Sequence, residues 1–94
     1  MDTKSRIDGL GAALFGKSRR AVLGLLYGHP DQAFYLRQIA RITGTGIGAV
    51  QRELRQLTDA GILLREKIGN QVHFQANNKC PVFAELKSLI VKTT

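Results

Sequence analysis

The sequence predicts a small, mainly α domain that carries one β-hairpin, and three patterns predict it. Between Lys17 and Leu57, apolar residues recur at spacings of three and four in three separate blocks, the period of helices that each bury one face. After Gly61 the period changes to two on either side of Gly69-Asn70, as in paired strands joined by a tight turn. From Pro81 the helical period returns and runs nearly to the C-terminus.

Residues 1–13 read as a flexible tail, polar at first and then interrupted by Gly9 and Gly11, and residues 14–94 as one domain. Leu14 and Phe15 are expected to be core or dimer contacts. The first helix spans Lys17 to Tyr27, with Val22, Leu23, Leu25 and Leu26 inward and Arg19 and Arg20 near the solvent side. Gly28, His29, Pro30 and Asp31 stop it, because Gly tolerates a left-handed cap and Pro cannot continue a helix. Ala33, Phe34 and Tyr35 favour a brief extended piece. A second helix follows from Leu36 to Thr43, with Leu36, Ile39 and Ala40 on one face, and Gly44 can end it. Ile47, Val50, Leu54 and Leu57 then mark a third helix over residues 47–60, closed by Gly61. Two helices joined by so short a connection share one core and cross, which gives a helix-turn-helix.

The run from Ile62 to Ile68 mixes β-branched and long residues, and Val72 to Gln75 alternates; both residues of Gly69-Asn70 suit unusual backbone angles, so residues 63–76 form a hairpin. Pro81 can start the last helix, expected over residues 81–92. Its apolar residues Val82, Phe83, Leu86, Leu89 and Ile90 spread widely around the circumference. A three-helix core cannot easily cover them all, so they are assigned to dimerisation.

Among 94 residues, 14 Lys and Arg stand against 7 Asp and Glu, for a formal net charge of +7 and a pI near 10.2. Such a surface attracts polyanions, either a nucleic acid or an anionic membrane. The apolar stretches are broken by Gly, Lys or Arg too often to cross a bilayer, and the N-terminus lacks the layout of a signal peptide, so the expected location is cytoplasmic. A single cysteine, Cys80, permits no internal disulfide.

Gln51, Arg52 and Arg55 fall on the outward side of the third helix, and Gln and Arg pair bidentately with A and G edges in the major groove. The competing reading is an ordinary solvated face on which Arg52 and Arg55 bond acidic neighbours such as Asp59. Arg37 and Arg41 on the second helix, and Arg19 and Arg20 on the first, are placed to touch phosphates. Arg65, Lys67, Asn70 and Gln71 decorate the hairpin with donors that suit backbone or minor-groove contact, Glu66 opposing them mildly. His73 alternates outward and His29 sits in a turn, so no metal site is expected. Cys80 before Pro81 packs or, less economically, senses redox state. Paired carboxylates, a Ser-His-Asp set and a phosphate loop are all missing from the pattern; neither catalysis nor a cofactor is expected.

The stretches Phe34-Tyr35-Leu36-Arg37-Gln38-Ile39-Ala40, Val50-Gln51-Arg52-Glu53-Leu54-Arg55-Gln56-Leu57, Ala60-Gly61-Ile62-Leu63 and Gly69-Asn70-Gln71-Val72-His73-Phe74 carry a resemblance. From about Leu14 to Thr93 the chain resembles the winged helix-turn-helix domains of ArsR and MarR-like transcriptional regulators. It is also similar to the DNA-binding domain attached to some small nucleotidyltransferases. The resemblance implies sequence-specific binding of double-stranded DNA, with helix 47–60 in the major groove, wing 63–76 on the backbone or minor groove, and terminal helices forming a homodimer. Gly44-Thr45-Gly46-Ile47-Gly48-Ala49 departs from the usual pattern: Thr45 is the only hydroxyl able to cap, small residues suit close approach to phosphates, and Ile47 or Ala49 can touch thymine methyl groups. The clustered Cys, His and carboxylate ligands of metal-responsive relatives are also missing. The alternative function is a protein-interaction module, or a DNA-targeting module serving a separate enzyme such as a nucleotidyltransferase, or an effector protein.

Overall fold

The computed structural model describes residues 16–93; the expected tail and the candidate contacts Leu14 and Phe15 lie outside the described residues. Helix α1 (Lys17–Gly28) is followed by strand β1 (Phe34–Tyr35), helices α2 (Leu36–Thr43) and α3 (Ile47–Asp59), strands β2 (Leu63–Ile68) and β3 (Gln71–Ala76), and helix α4 (Phe83–Thr93). Every element expected from the periodicity is present, and the departures are local.

Helix α1 ends at Gly28, but not through a left-handed glycine: the positive-φ residues are Gly16, Gly44, Gly61 and Gly69. Its stop comes from Pro30, which bars helical backbone at the residue before it, and His29 caps the helix at φ −135°. At the end of α2 the expected device does operate, with Gly44 at φ 67°. Helix α3 closes one residue earlier than the expected 47–60, with Ala60 as its C-cap.

The extended piece before α2 does more than connect. Phe34 pairs with Phe74 and Tyr35 with His73, so β1 adds a third antiparallel strand and the sheet order is β1-β3-β2. An isolated two-stranded hairpin is marginal in water, and β1 covers the backbone edge that β3 would otherwise expose. The hairpin register runs from Leu63 opposite Ala76 to Ile68 opposite Gln71, leaving Gly69 and Asn70 as a two-residue loop. Only Gly69, at φ 62°, takes a positive angle; this is the distribution of a turn with glycine first, and Asn70 needs no unusual conformation.

Twelve buried side chains form the core: Val22, Leu23, Leu26 and Tyr27 from α1, Phe34, Ile39, Val50, Leu54, Leu57, Leu63, Ala76, and Ile90 from α4. Ile90, expected at a dimer contact, is 1% exposed. Helix α4 packs on α1 and turns this residue inward. Phe83 and Leu86 also lean on the core, with the Phe83 ring centroid 5.5 Å from that of Tyr27. The core thus employs much of the apolar surface that was expected to need a partner, and Val82 and Val91 remain exposed. Helix α4 begins at Phe83 rather than Pro81, because the Phe83 amide bonds the Cys80 carbonyl at 2.9 Å and holds Pro81 in a preceding turn.

The junction between α3 and β2 is tied down from two sides. The Tyr27 hydroxyl donates to the Ile62 carbonyl at 2.6 Å, which also accepts from the Asn77 amide at 3.1 Å. The Asn77 side chain donates to the Gly61 carbonyl at 2.8 Å. Burial, and then the nearby Cys80, push the Tyr27 phenol up to about 12. Hairpin and third helix are therefore held in fixed relation through α1.

Candidate nucleic-acid interface

Helix α3 turns Val50, Glu53, Leu54 and Leu57 into the core. The spacing of those four leaves Gln51, Arg52, Arg55 and Asp59 exposed on the opposite side. Among the described residues neither Arg52 nor Arg55 forms an ion pair, so the reading that ties them to Asp59 does not hold. At the start of α3, Gly46 is the N-cap and supplies no side-chain bond. Thr45, the expected cap, is half-buried and does not cap α3; its amide donates to Thr43 Oγ1 at 3.3 Å. The tip of the helix is thus bare backbone flanked by Ile47, which is 47% exposed, and half-buried Ala49.

Arg19 is not a solvated phosphate ligand. Its Nε donates to Glu53 Oε1 at 2.6 Å, and its Nη2 to Gln56 Oε1. The fork of one guanidinium therefore clamps α1 to two successive turns of α3, and it gives the buried Glu53 carboxylate its cation. The sequence signals half of this: Glu53 occupies an inward position of the Val50, Leu54, Leu57 spacing, where a charge needs a partner, but nothing local names Arg19 as that partner.

Between α2, α3 and the sheet runs an open cleft of about 660 Å³, lined by Tyr35, Leu36, Arg37, Gln51, Leu54, Arg55, Thr58, Asp59, Arg65, Gln71, Val72 and Phe74. One carboxylate residue, Asp59, lines it beside three arginines from three elements, Arg37, Arg55 and Arg65. None has an ion partner among the described residues. Arg52 faces a shallower groove beside it, with Gly48, Gln51 and Gln56. The remaining expected contacts, Arg41, Thr45, Ile47, Ala49, Lys67 and Asn70, line neither depression; Arg41, Ile47, Lys67 and Asn70 are exposed. His73 is half-buried, its ring edge-on to Tyr35 at 5.9 Å. Among the described residues no three His, Cys, Asp or Glu side chains gather as metal ligands, and no helix is long and apolar enough to cross a membrane.

The backbone arrangement, a helix-turn-helix followed by a hairpin in a three-stranded sheet, superposes on solved structures. This is the winged helix-turn-helix fold. A predicted DNA-binding transcriptional regulator from E. coli superposes with a TM-score of 0.64 at 21% identity, over 88% of this chain and 84% of that one. The homodimeric winged helix-turn-helix DNA-binding domain of a possible ArsR-family transcriptional regulator from Mycobacterium bovis gives 0.63 at 19% identity, over 94% and 75%. Reduced HlyU from Vibrio cholerae gives 0.59 at 17% identity, over 94% and 82%. No family model matches the sequence, and no curated protein does. The winged helix architecture read from the residues is the one the structure has, with α3 as the second helix of the motif and β2–β3 as the wing.

Sequence reasoning missed three features near the site: the Arg19 clamp, the sheet-completing role of Phe34 and Tyr35, and exposed Ile42. The last is 52% exposed just before the turn into α3. Leu36, Ile39 and Ala40 define the inward face of α2, so its outward position was legible from the same spacing.

Proposed function

We propose that this chain binds double-stranded DNA in a sequence-specific manner as a transcriptional regulator acting in the cytoplasm. The observation that carries the reading is the convergence of Arg37, Arg55 and Arg65, unpaired with any described carboxylate, around one cleft between α3 and the wing. Three arginines lining one cleft, against the single carboxylate residue Asp59, leave an excess of positive charge that suits a phosphodiester strand. In this arrangement Gln51, Arg52 and Arg55, with Ile47 and Ala49 at the tip, meet base edges in the major groove. Arg37, Arg41, Thr45, Arg65, Lys67, Asn70 and Gln71 hold the backbone on either side.

The protein works as a homodimer through α4 and the segment that carries Leu14 and Phe15. Val82, just before α4, and Val91 on it are exposed and Leu89 is half-buried, while Phe83 and Leu86 contribute what the core leaves uncovered. The Mycobacterium bovis domain of the same fold is homodimeric. A two-fold dimer implies inverted half-sites about 34–36 Å apart.

Electrophoretic mobility shifts with duplex DNA at several salt concentrations test the reading. Neutralising several phosphates gives a steep linear fall of log affinity with log salt. Absence of duplex binding at low salt would instead favour a protein-interaction module.

A further inference from the structure

We propose that Ile42 and Ile47 form a methyl-reading tip, so that the protein discriminates its DNA at the entry of α3 by the C5-methyl groups of pyrimidines. The inference rests on the DNA-binding reading and specifies what that site recognises.

Hydrogen-bonding side chains are few in the turn itself: Thr45 is half-buried, and the Thr43 hydroxyl is already engaged. Gly44, Gly46 and Gly48 have none, and Gly46 caps α3 without a side-chain bond. The Thr43 hydroxyl donates to the Ile39 carbonyl at 2.7 Å and accepts from the Thr45 amide. The first outward polar side chain of α3 is Gln51, a full turn into the helix. What the tip presents instead is two large aliphatic side chains, Ile42 at 52% and Ile47 at 47% exposure, one on each side of the turn. Neither serves the core, whose places on these helices are taken by Ile39 and Val50.

An exposed isoleucine alone is unremarkable. Here the two bracket the short turn between α2 and α3, and exposed arginines, Arg41 next to Ile42 in the chain and Arg52 further along α3, stand on the same two helices. That charge selects a polyanion over an apolar protein surface. On the major-groove edge of DNA the apolar feature is the thymine C5-methyl, and 5-methylcytosine carries the same group at the same ring position. Isoleucine suits the task because a β-branched side chain is already stiff and loses little freedom on contact.

The test removes single methyl groups from the DNA. Duplexes enriched from a random pool are resynthesised with each thymine in turn replaced by deoxyuridine, which keeps all hydrogen-bonding groups and lacks only the methyl. One or two adjacent positions per half-site should lose about fourfold in affinity, the equivalent of about 0.8 kcal/mol for one buried carbon. Ile47→Ala and Ile42→Ala should abolish that sensitivity at those positions while leaving the positions governed by Gln51 and Arg55 unchanged. Both residues are exposed, and circular dichroism checks the fold of each variant. At the sensitive positions, replacing T·A by 5-methylcytosine·G should retain more affinity than replacing it by C·G. If duplexes are enriched but deoxyuridine is tolerated everywhere, or its effect persists in both variants, the methyl-reading tip is wrong and the DNA reading stands. If no duplex is enriched at any salt concentration, both fall.

Discussion

Replacing Arg19 by Met tests how α3 is held. Met retains part of the apolar stem and removes the guanidinium, leaving the Glu53 carboxylate, in a residue 8% exposed, without the cation at 2.6 Å. Breaking a fully buried ion pair costs about 3–5 kcal/mol. Here the Arg19 side chain is 34% exposed and that of Glu53 11%, so water screens part of the loss and the expected destabilisation is about 2 kcal/mol. In a domain of this size that lowers Tm by roughly 8–16 °C. Thermal and urea unfolding at pH 7, followed by circular dichroism, measure it. Replacing Glu53 by Met as well should recover more than half the loss, since the buried charge is then gone. A single variant within about 0.5 kcal/mol of the parent would refute the clamp; a double variant no more stable than the single would place the loss in packing of the Arg19 stem. Because Arg19 is engaged with α3, its loss should leave the salt slope of DNA binding unchanged.

Three further outcomes follow from the same geometry. The Tyr27 phenol is raised from 10.0 to about 12, so its contribution to stability is complete below about pH 10 and is lost as pH rises through 12; Tyr27→Phe should cost about 1 kcal/mol at neutral pH and flatten that alkaline decline in urea titrations. Gly44→Ala should destabilise by about 1 kcal/mol, read from the urea midpoint: no atom lies within 4 Å of the added carbon, so the loss is conformational strain at φ 67°. Sedimentation at about 100 μM, well above the Kd of an ordinary regulator dimer, should show a dimer that Val91→Asp weakens at least tenfold; a monomeric parent would contradict the two-fold arrangement.

The fold was legible in the sequence where a period and a stop coincided. Val50, Leu54 and Leu57 with Gly61 located α3 to within one residue, and Gly69-Asn70 located the hairpin loop. Legibility failed where tertiary contact decides. Nothing local distinguishes Phe34-Tyr35 as a linker from a strand that pairs with β3 forty residues later. Ile90 and Val91 are adjacent aliphatic residues, and only the packing of α4 on α1 shows that the first is core and the second exposed. The candidate site divides in the same way. Outward positions of α3 follow from helical spacing, whereas the gathering of Arg37, Arg55 and Arg65 and the diversion of Arg19 to Glu53 depend on how separate elements meet. A lone basic residue on a helix reads identically in sequence whether it meets a phosphate or a buried carboxylate.

One titration separates reading of sequence by α3 from anchoring of the backbone by the wing. Wild type, Arg52→Ala, Arg55→Ala and Lys67→Ala are each titrated with the best selected duplex and a scrambled one across several salt concentrations. The account predicts that each helix variant loses roughly 1–3 kcal/mol of discrimination between the two duplexes. It predicts that Lys67→Ala weakens both duplexes alike and lowers the slope of log affinity against log salt by about one unit. Equal losses on specific and scrambled DNA for both helix variants would contradict it, because α3 would then touch the duplex without reading it.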